Sequence, residues 1–547
     1  MQKISPAYFQ NHVFKGFSRQ QMSIKRIHLF GRSALFTAEE KKNILIYIFG
    51  IMLYKFGVEA FNGAIVALAT NRYDQDAHEA DALTRTFERV GLLIGLNQAS
   101  QCIGSMLIGP LIKRWRTQCV LAATIFIFAA TTAVFVIIDV VTGGTIKPSD
   151  FKPKHKNDFS YYGDYRTDTI IPIYCVAGIT FGMVESMRRV IPAHIAGDNV
   201  VKLRKMNSLV HVFYEIAGVS GALTTALVLI PKLGNNHAFI ITPILFTAAG
   251  LVWLFIQSMP KRANVGDDEV APYLKKTKVN YFKAMGITLL CFVQSLYFGA
   301  KIVFTHRRFL WLFAVYPLAI YSHRYIENSI APQVARRYLH HSAWSQILVG
   351  GSNLGELLGA LFVYCFNDTM KSPILWVRFD AIMLIVIWYL PFYHPPADHI
   401  VHAWIIAATL VPIGFASAVG DISLDAYIQS SLTRLESKHK NISPLGAVMA
   451  FLYSTYIIIY SIGNPLLGKH IDHVYNTKGS VQSALIYTAA VQLSIIVVIM
   501  IAASFIPKGA VAFNPVLIED DSIDSDESAQ KLNSTPNKSV ALDQMKN

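Results

Sequence analysis

The chain has 547 residues, of which 53% are hydrophobic and only 15% charged, and its mean hydropathy is +0.38. Soluble domains carry about 25% charged residues, so the composition excludes a soluble globular protein and defines a polytopic membrane protein. The net charge of +14 does not point to nucleic acid as a partner, because the basic residues sit mostly in short loops between apolar segments, where membrane topology places them.

A membrane-crossing helix needs roughly 20 mainly apolar residues. Residues 1–42 are polar and basic, without a distinct apolar core and small-residue cleavage site, and read as a cytoplasmic N-terminal tail, so that the first span is its own insertion signal. Six spans follow at 43–69, 88–112, 118–141, 170–191, 207–231 and 237–258, forming an N-terminal half over 43–258. A central cytoplasmic loop occupies 259–308, and a second set at 309–335, 343–366, 374–394, 400–421, 446–468 and 482–506 forms a C-terminal half over 309–506. Residues 507–547 include "IEDDSIDSDESAQ", an acidic, serine-rich run that reads as a disordered tail. Within the central loop, "YFKAMGITLLCFVQSLYFGAKIVF" (281–304) is apolar enough to span, but Asn280, Lys283, Gln294 and Lys301 fall on one helical face, the pattern of a helix lying in the interface. The expected fold class is therefore an all-α membrane protein with twelve transmembrane helices in two six-helix halves, plus an interfacial helix.

Orientation follows from Lys and Arg near the span ends. Lys41, Lys42, Lys113, Arg114, Arg116, Arg188, Arg189, Lys202, Arg204, Lys205, Lys261, Arg262, Arg434, Lys438 and Lys440 all fall on one side if both termini are cytoplasmic. A thirteenth span at 281–304 would move the last three outside. Arg336 and Arg337, after the seventh span, run against the rule, as do the lysines of the 142–169 loop, which Asp150, Asp158, Asp164 and Asp168 balance. The five cysteines, at 102, 119, 175, 291 and 365, lie in or beside apolar segments without metal-ligand spacing, so neither a disulfide framework nor a metal site is read from them, and no cofactor is expected.

Ionisable groups inside the spans carry the functional reading, because each costs roughly 2.5–3.5 kcal/mol near the bilayer centre and so marks a cavity or a partner. The first span places Lys55 and Glu59 four residues apart. The fifth carries His211 and Glu215, a candidate proton relay, since histidine titrates near physiological pH. The seventh has His323, Arg324 and Glu327, and the eighth has Glu356 mid-span with no base one turn away, so its partner comes from another helix or it is protonated. These eight residues form the expected substrate or proton site. Towards the cytoplasmic ends, Glu185 and Arg188 of the fourth span and Asp421 of the tenth read as a gate or latch. Tyr453, Tyr456 and Tyr460 form a stripe on the eleventh span that reads as packing. Small-residue runs at 218–222 and 350–360 suit close helix contact.

The halves also look duplicated. An offset of 265 sets "NGAIVALATNRY" (62–73) on "ENSIAPQVARRY" (327–338), matching Ile65, Arg72 and Tyr73 to Ile330, Arg337 and Tyr338. Twelve spans in two halves, cytoplasmic termini, a basic central loop and a short basic loop after the second span resemble the major facilitator superfamily, in the style of its fungal members. That family's signature after the second span is G-x-x-x-D-R-x-G-R, and this chain reads "GPLIKRWRT" from Gly109 to Thr117. Gly109 and Arg114 match, whereas Lys113, Arg116 and Thr117 replace Asp, Gly and Arg, so the cytoplasmic latch that the resemblance implies is rebuilt or weak. No sugar-porter signature and no Gly-Pro motif of drug:proton antiporters appears.

The resemblance implies first and seventh spans lining a central cavity, and a secondary transporter that works by alternating access. The residues add the expectation of a small polar or charged solute, proton coupling, a monomer, and residence in a plasma or vacuolar/endosomal membrane. A non-transporting nutrient sensor or lipid-handling relative is the other class. No nucleotide-binding loop and no nucleophile–base constellation appears, so neither ATP drive nor an enzyme is expected.

Overall fold

The computed structural model describes residues 36–196, 200–256, 281–366, 372–436 and 444–512. All regular structure among them is helical. Eleven helices are long and apolar enough to cross a membrane, namely Ala38–Glu79, Thr86–Ile108, Thr117–Val141, Thr167–Arg188, Leu209–Leu233, Asn235–Leu254, Ser342–Phe366, Pro373–Phe392, Ile400–Gln429, Pro444–Lys478 and Gln482–Ala503. The twelfth crossing belongs to a bent pair, Leu289–Thr305 followed by Arg307–Arg337, which turns by 112°. Counting that pair as one span, twelve crossings among the described residues bring the start of the first span and the end of the last to one face, the terminal face; the other is the opposite face.

The first span shows how the ends are set. Thr37 accepts a hydrogen bond from the Glu40 amide at 3.2 Å, and the Glu40 carboxylate accepts one from the Thr37 amide at 2.7 Å, a capping box that starts the helix at Ala38 rather than at the first apolar run. At its far end the helix runs to Glu79, ten residues beyond the hydropathic limit of 69, because Asn71, Arg72 and Asp74 are buried against protein partners. The tenth and eleventh spans overrun in the same way, as helices Ile400–Glu436 and Pro444–Lys478.

Small residues let spans approach backbone to backbone, which is how helices associate where lipid removes the hydrophobic drive. Gly355 of the eighth span faces the tenth, where a Cβ would stand 2.7 Å from the Phe415 amide nitrogen. The two halves meet through the second and eleventh spans and through the fifth and eighth. In the first of these seams a Cβ on Gly91 would stand 2.9 Å from the Asn464 carbonyl carbon, and Ser461 Oγ donates to the Gly95 carbonyl at 3.0 Å.

The helix Tyr281–Thr305 lies along the eleventh span and also touches the second. Gly299 abuts the Ala447 main chain, and the Phe304 ring lies 5.0 Å from Phe313 and 6.0 Å from Phe451. Its 112° turn from the seventh span departs widely from the antiparallel course of a neighbouring crossing.

Candidate functional site

The seventh span contains Pro317, then a π-helical turn over Ile326–Ile330 and Pro332 just beyond. A π turn carries one residue more than an α turn and recurs at functional sites. Glu327 sits inside it. Arg324 Nη1 donates to Glu327 Oε2 at 3.1 Å, and His323 Nε2 stands 3.3 Å from Glu327 Oε1. The same His323 Nε2 meets Glu356 Oε1 of the eighth span at 2.5 Å, so Glu356 does take its partner from another helix. The side chains of His323 and Glu327 are only 9% and 5% exposed, whereas Arg324 keeps 50% of its side chain open.

Across the seam, the first span presents Lys55 and Glu59 as an ion pair one helical turn apart, each side chain 10% exposed. Lys55 Nζ also lies 4.5 Å from the centroid of the Tyr214 ring, a cation–π contact from the fifth span. Glu215 of that span is buried, with Oε2 unpartnered, and lies within electrostatic range of Lys55, Glu59 and Glu356. His211 Nδ1 is 3.9 Å from Glu215 Oε1, too far for a hydrogen bond, and its side chain is partly exposed. The structure thus gathers all eight residues of the expected site around the seam between the halves.

At the centre is a cavity of about 40 Å³, lined by Glu59, Asn62, Arg324, Glu327, Gln346 and Asn353 among others. One water needs about 10–15 Å³ of such volume, so the space suits two or three waters or one small ion. Gln346 Oε1 and Asn353 Nδ2 are buried without a hydrogen-bond partner, while Glu327 Oε1 faces His323 Nε2 at 3.3 Å. Gln346 and Asn353 escape a search for charges; their signal in the sequence is only that they are amides within an apolar span.

The residues read as a gate separate into two places. Glu185 Oε2 accepts from Arg188 Nε at 2.8 Å, and Glu185 Oε1 accepts from the Tyr54 and Tyr214 hydroxyls at 3.2 and 3.3 Å, which ties the fourth span to the first and fifth within one half. Asp421, in the other half, lies within electrostatic range of Asp380 and His323 instead. The surroundings of Gly109 and of the Arg114 side chain lie outside what the structure describes.

The opposite face holds a clasp between the halves that the sequence reading missed. Asp74, at the end of the first span, accepts from Arg336 Nε at 2.7 Å and from Arg337 Nη1 and Nη2 at 3.0 and 2.8 Å, and from Thr86 Oγ1 at 2.5 Å. Asp472 of the eleventh span accepts from the Glu88 amide at 2.9 Å, capping the second span, whose own N-cap residue Arg85 offers no side-chain bond. Asn476 accepts from Thr84 Oγ1 at 2.8 Å. The two arginines that broke the charge rule are therefore buried partners of an aspartate in the other half.

The Major Facilitator Superfamily model matches residues 47–441. The chain belongs to that family, whose members are secondary transporters, and it is a multi-pass membrane protein. Among solved structures, a peptide transporter POT in complex with sulfate aligns at 12% identity with a TM-score of 0.54, covering 84% of this chain and 94% of that one. A mutant of the nucleoside transporter NupG aligns at 13% identity and a TM-score of 0.46, over 82% of this chain and 99% of that one. At such identities the likeness concerns the fold. No curated protein matches the sequence.

Proposed function

We propose that this chain is a proton-coupled carrier of a small polar or charged solute, working by alternating access about the midplane cluster. In this reading it acts as a monomer with both termini in the cytoplasm, in a plasma, vacuolar or endosomal membrane, and Tyr281–Thr305 lies at the cytoplasmic interface. One observation carries it: charged groups from both halves converge on one small polar cavity at the seam where alternating access must open and close. Pockets for drug-sized ligands measure roughly 300–1,000 Å³, so a cavity of about 40 Å³ favours a small solute or ion. The His323–Glu356 contact supplies a shared proton in a buried place, and half-exposed Arg324 gives the cluster a path to water.

The test is uptake into proteoliposomes with and without an inward-acid pH gradient, using solutes selected by their thermal stabilisation of the purified protein. Uptake that rises with the gradient is expected. Stabilising solutes that neither cross the membrane nor move protons would overturn the proposal and favour a sensor.

A further inference from the structure

We propose that His323, Glu327 and Glu356 hold a divalent first-row transition-metal ion at the midplane, as cargo; the inference rests on the reading that this cluster is the transport site. One donor atom from each residue falls within a sphere of mutual separation of 4.8 Å. A second, independent observation points the same way: Gln346 Oε1, a buried acceptor without a hydrogen-bond partner, lines the cavity that Glu327 also lines. Nε2 now stands 2.5 Å from Glu356 Oε1 and 3.3 Å from Glu327 Oε1. An ion with bonds of about 2.1 Å sets neighbouring ligands roughly 3.0–3.4 Å apart. Glu356 needs to withdraw by only about half an ångström as the ion replaces the proton it shares with His323. Arg324 fixes the other oxygen of Glu327, the outer-shell contact that leaves Oε1 free to ligate.

Charge favours the same occupant. When the ion replaces the imidazole proton, the carboxylates of Glu59, Glu327 and Glu356 face only two permanent cations, Lys55 and Arg324, which leaves net negative charge to hold a cation. One imidazole with two carboxylates and no thiolate suits Mn²⁺, Fe²⁺, Co²⁺ or Zn²⁺, and neither Cu⁺ nor the all-oxygen preference of Mg²⁺ and Ca²⁺. Three protein ligands leave at least one position for water or a chelating solute. Binding displaces the proton from Nε2, so ion and proton compete for one site.

The experiment uses the full chain in detergent after chelator treatment, with Co²⁺ followed by visible absorption and Mn²⁺ and Zn²⁺ by equilibrium dialysis. About one ion per chain is expected, not displaced by a hundredfold excess of Mg²⁺, with affinity falling about tenfold per pH unit once the imidazole binds its proton. His323→Ala and Glu356→Gln should each weaken binding at least tenfold. A double His340→Ala, His341→Ala variant, which removes the histidines beside Asp398 on the opposite face, should bind as the parent does. Melting without metal reports folding; if His323→Ala does not fold, Glu356→Gln carries the test. Absence of bound ion in folded parent protein, or parental affinity in the folded variants, overturns the site. Proton-driven flux of a metal-free solute alongside absent ion binding would strike this inference and leave the carrier standing; bound ion without flux of ion or solute would overturn the carrier and the ion's role as cargo.

Discussion

The two acid–base pairs at the seam differ in what removing the acid would do. Glu59→Gln leaves the Lys55 ammonium unpaired in a place only 10% exposed, and stranding a buried charge costs about 3–5 kcal/mol. The expected result is a clear drop in melting temperature and in folded yield. Glu327→Gln instead leaves Arg324 unpaired, with half its side chain open, so solvent screens most of the loss. That variant should melt within a few degrees of the parent, lose uptake driven by a pH gradient, and retain solute exchange, which needs no net proton movement. Thermal stability and uptake on the same preparation decide this. A stable Glu327→Gln protein with normal proton-driven uptake would remove Glu327 from the coupling.

At the scale of the helices, the opposite face is closed by charge at one point and by shape at another. Asp74→Asn removes the acceptor that holds Arg336 and Arg337, while Gly91→Val forces a side chain against the Asn464 main chain without altering charge. Both should part the halves on that face. Spin labels at Ala82→Cys and Thr477→Cys, both exposed and in different halves, should report a longer distance in each variant; an unchanged distance distribution would mean that neither contact governs closure. The sequence reveals some of this and hides the rest for identifiable reasons. Lys55 with Glu59 and Arg324 with Glu327 are legible because three- and four-residue spacing fixes proximity on one helix. The His323–Glu356 contact spans two helices, so only its necessity can be read, in Glu356's lack of a local base. Arg336 and Arg337 stand out as violations of the charge rule, yet that rule counts charges near span ends and carries no information about an aspartate 262 and 263 positions away. The helices run past their hydropathic limits for a related cause. Hydropathy stops at the first polar residues, whereas the helix continues wherever protein groups satisfy them.

For the whole molecule, the side of the membrane is the first quantity to measure. A single-cysteine protein retaining Cys119, exposed at the start of the third span, should label from the cytoplasmic side, and one carrying Ser160→Cys in the 142–169 loop from the other. Labelling from the same side would break the twelve-span topology.

The packing of Tyr281–Thr305 also dictates where this carrier can be divided. Its Gly299 and Phe304 rest on Ala447, Phe313 and Phe451, all residues of the C-terminal half, so the helix is a lodger of that half even though the chain enters it from the other. Two fragments, 1–270 and 271–547, made separately in one cell, should therefore find each other, co-purify and restore uptake. A cut at His306 would strand the helix on the wrong fragment with its glycine and phenylalanine face bare, and that pair should aggregate. Equal recovery from both cuts would show that the helix has no allegiance to either half.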